Sequence, residues 1–210
     1  MLGVGLAAIL LVGAMLAPRQ KDVSIAGANS ATTPSPASLV AVPPGPDDLT
    51  LGDPSSVDPA DILTRAKTRA LVWTHDAVLV SMRAQPVTGG KVNLTSGGTV
   101  EYLFGKPTGE GFGAGARVSG KRLRITLASS GSEVEEVVAG APGRAALEPN
   151  CPLDEAARKA QAAGLPASAP VSVVYEFSDK RSKPIWRVTS SGGSSETRTL
   201  DGWTCAILVR

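Results

Sequence analysis

The 210-residue sequence predicts an α+β fold: two similar helix-plus-three-strand lobes forming antiparallel sheet, with both helices on one face. Three observations predict it. Two helical stretches with acidic starts each precede runs of alternating or β-branched residues. Gly-rich and polar turns separate those runs at hairpin spacing. The second helix-and-strand stretch also aligns on the first without gaps.

That alignment sets DPADILTRAKTRALVWTHDAVLVSMRA, from Asp58, on CPLDEAARKAQAAGLPASAPVSVVYEF, from Cys151. It pairs Pro59 with Pro152, Asp61 with Asp154, Arg65 with Arg158, Ala70 with Ala163, Val78 with Val171 and Val80 with Val173. Helix start, helix end and strand start coincide at one fixed offset, as an internal duplication requires. The lobes cover about 58–140 and 150–210.

In the first lobe Asp58 can cap the helix, with Pro59 at its first position and Asp61 where the helix dipole favours negative charge. In the second, Asp154 and Glu155 take the acidic role behind Pro152, and Gly164 before Pro166 closes the helix. Strands are expected at Val78 to Met82, Thr99 to Phe104 and Arg122 to Leu127. The second lobe answers with Val171 to Phe177, Pro184 to Thr189, Glu196 to Leu200 and a terminal CAILV from Cys205. Gly89-Gly90 and the Lys180 to Lys183 turn read as hairpin joints, and residues 109–120 as a long Gly-rich loop. Helices on one side leave the other sheet face open. Arg122, Arg124, Glu176, Arg187 and Arg198, alternating with buried positions, are expected on it, and Arg122, Arg124, Arg187 and Arg198 form the candidate interaction surface.

Ahead of this domain, residues 1–18 form an uncharged apolar run ending at Pro18, followed by Arg19 and Lys21. Its length fits either a short transmembrane anchor or a signal segment. Residues 19–57, with Pro34, Pro36, Pro43, Pro44, Pro46 and Pro54 among Ser, Ala and Thr, read as a disordered linker. The folded region, 58–210, is thus expected outside the cytoplasm, either anchored to an inner membrane with the domain in the periplasm or secreted.

A net charge of +2 argues against a nucleic-acid binder, which concentrates Lys and Arg on one face. GARVSGKR from Gly115 imitates a phosphate loop, yet Arg122 replaces the magnesium-binding Ser or Thr and a strand follows in place of a helix. GFGAGA from Gly111 lacks a βαβ unit around it. His75 is the only histidine, so no histidine metal cluster or conventional hydrolase triad can be assembled. The expected protein is not an enzyme and carries no cofactor or metal. Trp73, Trp186 and Trp203 are expected as core anchors, with an aromatic ligand platform as the alternative. Cys151 and Cys205 are the only cysteines, and a disulfide between them is expected, closing a loop that chain entropy values at about 4 kcal/mol.

The helix-then-three-strand plan, the IWRV strand and the closing TRTLDGWTC resemble PepSY-type domains, and the tandem arrangement resembles the β-lactamase-inhibitory proteins. The C-terminal half is also similar to extracytoplasmic regions of bacterial membrane proteins, some receptor-type kinases among them. The resemblance spans Asp58 to Arg210 and implies binding or inhibition in place of catalysis. The expected function is a membrane-anchored extracytoplasmic binding or sensor module with an envelope or secreted protein partner. The alternative is an inhibitor of a secreted hydrolase.

Overall fold

The computed structural model describes Leu49 and residues 52–109, 111, 113–191 and 195–208. The apolar run 1–18 and nearly all of the expected linker lie outside the described residues. The linker's last residues belong to the fold: Val57 is buried and exchanges backbone hydrogen bonds with Val92, and Leu94 N–H donates to Pro54 C=O. Among the described residues no helix is long and apolar enough to cross a membrane.

The elements run α1 (Pro59–Trp73), β1 (Val78–Thr88), β2 (Lys91–Val92), β3 (Thr99–Pro107), β4 (Arg117–Ala128), β5 (Gly131–Val138), β6 (Gly143–Arg144), α2 (Leu153–Ala162), β7 (Val171–Ser178), β8 (Lys183–Ser190) and β9 (Thr197–Asp201). The strands form one antiparallel sheet in the order β5-β4-β3-β1-β7-β8-β9, with β2 on β1 and β6 on β4. The class is α+β, and the sheet runs continuously from one half of the chain into the other.

One row of side chains explains where the core sits. Cross-strand partners Val134, Ile125, Tyr102, Met82, Tyr175, Trp186 and Leu200 join all seven strands of the main path. All are fully or nearly fully buried except the edge residue Val134. Because strand side chains alternate between faces, this row fixes a single buried face. Both helices dock on it. Tyr102 Oη donates to Pro59 C=O in α1 (2.5 Å), and Trp186 Nε1 donates to Cys151 C=O beside α2 (3.0 Å). These two bonds satisfy polar tips that burial would otherwise penalise.

The helix ends follow the sequence chemistry unequally. Asp58 accepts from Ala60 N–H at 2.8 Å, as an N-cap should. Pro152 occupies the equivalent position before α2 and supplies no side-chain cap. Gly164 takes φ +101 at the end of α2, where Leu165 N–H reaches back to Ala160 C=O.

Four features depart from expectation. Strand β5 was not anticipated, because three Glu among its eight residues lower its apparent strand propensity. It is an edge strand, and charge there discourages further pairing. Strand β4 begins at Arg117, inside the expected 109–120 loop. Among the described residues the terminal CAILV contributes a bridge between Leu200 and Ile207 and no named strand. Finally, a register irregularity between Leu79 and Ser81 turns Leu79 into the core and leaves Val78 and Val80 half-buried. Val78 and Val80 therefore differ in environment from Val171 and Val173, the buried residues the alignment pairs with them.

Candidate functional site: the Trp203 groove and the open sheet face

The face opposite the helices carries a ladder of alternating charge. Arg124 pairs with Glu135 (2.8 Å) and Glu101 (3.4 Å), and Arg187 pairs with Glu176. Hence Arg124 and Arg187 lie on the open face as expected, but their charge is already balanced by neighbours on the sheet. Such partly exposed pairs contribute little stability and leave little net field for a ligand.

Arg122 and Arg198 depart from the expected exposed surface. Arg122 is only 1% exposed. The connection after β5 folds back over this end of the sheet, and Gly143 lies so close that a Cβ there would come within 2.7 Å of the Arg122 guanidinium. Burial lowers the Arg122 pKa from its ordinary value. Arg198 pairs with Val188, a core position, so it belongs to the helix-covered face. Its Nε donates to Ala163 C=O (2.8 Å) and satisfies a carbonyl at the end of α2. Period-two alternation with the buried Leu200, two residues on, places Arg198 on that same face.

The helical side holds a concave site. A groove of about 530 Å³ is lined by Lys67 from α1, Ala77, Val78 and Leu79 leading into β1, Leu147, Glu148 and Asn150 ahead of α2, and Trp203 after β9. It combines residues from both halves of the chain. Sites at such seams are common because neither half has to sacrifice its own core to form them. Lys67 and Glu148 form an ion pair across it.

Trp203 is the unusual member. Trp186 is fully buried and Trp73 is partly buried, donating Nε1 to Glu136 (3.0 Å), but Trp203 is 43% exposed. The core expectation thus fails for Trp203. The loop that presents it is nevertheless tightly constrained. Asp201 Oδ1 accepts from the Trp203 and Thr204 amides (2.9 and 3.1 Å), and its Oδ2 pairs with Lys183 Nζ at 2.7 Å. Gly202 N–H donates to Pro184 C=O, and its own C=O accepts from Cys151 N–H. A Cβ on Gly202 would collide with the Tyr175 ring at 2.7 Å, so only glycine lets the loop seat this deeply.

The Cys151–Cys205 disulfide, with Cα atoms 5.2 Å apart, closes the same loop onto the start of α2. Burial would raise the Asp201 pKa, but hydrogen bonds from Lys183 and the two amides outweigh it and bring it to about 2. Two non-glycine residues at the site also take left-handed backbone: Leu147 at φ +61 and Cys205 at φ +57. Each costs about 1 kcal/mol or more and persists only where surroundings impose it.

No family model matches the chain, and no curated protein or solved structure is detectably similar to it. Among the described residues no cluster of three or more His, Cys, Asp or Glu side chains is placed to hold a metal. The sequence signal for the loop that carries Trp203 is the string Asp201-Gly202-Trp203-Thr204-Cys205, with an Asx-turn acceptor, a permissive Gly, an aromatic and a cross-linkable Cys in succession; that the aromatic is exposed and joins Lys67, Glu148 and Asn150 is not legible there.

Proposed function

We infer that the chain is a non-catalytic, extracytoplasmic binding module of the cell envelope, tethered through its N-terminal apolar run, and that it engages its ligand at the Trp203 groove. The observation that carries this reading is an exposed indole on a loop whose backbone is fixed by a disulfide, a buried carboxylate and backbone hydrogen bonds through Gly202. Folding alone gains little from an exposed Trp. Binding gains a great deal, because an aromatic on a preorganised loop contributes contact area with little loss of backbone entropy on association. The disulfide supports an oxidising location.

Duplication of a helix-plus-strand unit is part of the same reading. Met82 and Tyr175, equivalent in the gap-free alignment, are direct cross-strand partners where β1 meets β7. The halves then extend outward from that pair in opposite directions, as two related lobes sharing one sheet would.

The test is retention of envelope components by the immobilised full chain. Trp203→Ala is expected to abolish retention, whereas Arg124→Glu with Arg187→Glu on the open face is expected to preserve it. Equal retention by Trp203→Ala and wild type would refute the groove as the ligand site. The inhibitor reading draws on the same feature, since a rigid loop presenting one large side chain suits insertion into a hydrolase cleft. Loss of hydrolase activity on addition of the wild-type chain, reversed by Trp203→Ala, would favour it.

A further inference from the structure

The chemistry of the groove specifies a class of ligand, given the binding reading above. We propose that the Trp203 groove takes a neutral saccharide, stacked on the indole and hydrogen-bonded through vicinal hydroxyls to Lys67, Glu148 and Asn150.

Three observations converge on that class. First, the groove is open to solvent. Ala77 and Leu79 are buried at its floor, Val78 and Leu147 beside them are half-buried, and Trp203, Lys67, Glu148 and Asn150 stand exposed or half-exposed around it. An apolar peptide side chain gains most from an enclosed hole that removes it from water on all sides, which a groove with so exposed a polar rim does not offer. A flat ring lying against an indole needs only one apolar wall.

Second, the rim is electrically balanced. Lys67 and Glu148 neutralise each other across the site, so neither an anionic nor a cationic ligand finds an uncompensated partner. A balanced pair of this kind offers a charged ligand little net field. Hydroxyl groups both donate and accept, and can bond the ammonium, the carboxylate and the Asn150 amide with the pair intact.

Third, the backbone that carries the stacking wall is fixed before binding. Asp201 acts as the positioning residue: its carboxylate holds the Trp203 and Thr204 amides and is itself anchored by Lys183. Pyranose rings carry an axial C–H face and an equatorial hydroxyl rim, and an indole on a preset loop beside a polar rim matches both at once. The groove volume of about 530 Å³ lies within the range of about 300–1,000 Å³ usual for small-molecule sites.

The experiment is calorimetric titration of the purified full chain with cellotriose, maltotriose and chitotriose, alongside a trigalacturonate as the charged control. Saturable binding of at least one neutral trisaccharide is expected. Trp203→Ala should weaken it at least about tenfold, and Asn150→Ala a few-fold. Arg187→Glu should leave it unchanged. Wild-type tryptophan emission should shift on binding, since Trp203 is the most exposed of the three indoles. Unchanged thermal melting of Trp203→Ala separates lost contact from lost fold. Absence of binding by all three neutral sugars, equal binding by Trp203→Ala, or preference for the uronate overturns the saccharide assignment. If Trp203→Ala still abolishes envelope retention, only the ligand class has failed. If retention is also unaffected, the groove itself is not the binding site.

Discussion

The two faces of this sheet come from the same strands yet are stabilised in different ways. On the helix-covered face, Tyr102, Met82, Tyr175 and Trp186 form a continuous buried row whose polar tips each find a backbone carbonyl where one exists to be satisfied. On the open face, Arg124, Glu101, Glu135, Arg187 and Glu176 balance one another in partial contact with water. Burial of apolar area is worth roughly 25 cal/mol per Å², whereas exposed ion pairs are worth about 1 kcal/mol or less. The comparison teaches that stability resides on one face, and that the uncovered face can vary at little cost to the fold.

The largest effects should come from the buried row. Trp186→Ala removes its largest side chain, fully buried, and the bond to Cys151 C=O, and should destabilise by about 3–5 kcal/mol in urea unfolding. Next comes the cross-link where that face meets the Trp203 loop. Cys151→Ser with Cys205→Ser should lower stability by about 4 kcal/mol on chain-entropy grounds, measured by the same transition under non-reducing conditions.

An intermediate effect is expected from acid. The folded Asp201 pKa of about 2 lies below the value of about 3.9 for an unfolded Asp. Its contribution is therefore fully present above the unfolded value and is lost as pH falls from about 4 through about 2, on the order of 2 kcal/mol in total. Asp201→Asn should flatten that part of the stability profile. A profile unchanged by the substitution would show that the carboxylate does not hold the loop. The smallest effect belongs to the open face. Arg187→Ala should cost no more than about 1 kcal/mol, and a much larger loss would mean that the two faces are less different than their chemistry indicates.

Much of the helix and strand plan was legible from local chemistry. The Asp58-Pro59 start of α1, the Gly164 stop of α2 and the starts of β1, β3, β7 and β8 follow from capping, dipole and alternation, which act over a few residues. Strand β5 was hidden because its Glu residues are tolerated only at an edge, and edge status is a property of the whole sheet. Arg122 was assigned to solvent for a similar reason. Alternation identifies its face, but only the returning connection through Gly143 buries it.

By itself the sequence determined the α+β class, the helix boundaries to within a few residues and the pairing of its two cysteines, because each depends on local pattern or on there being no other partner to choose. The tertiary structure decided which arginines are exposed, which tryptophan is not core, and that Lys67, Glu148, Asn150 and Trp203 share one groove. Those outcomes depend on strand register and on contacts between residues distant in the chain, such as Lys67 and Glu148, and no short-range signal encodes them.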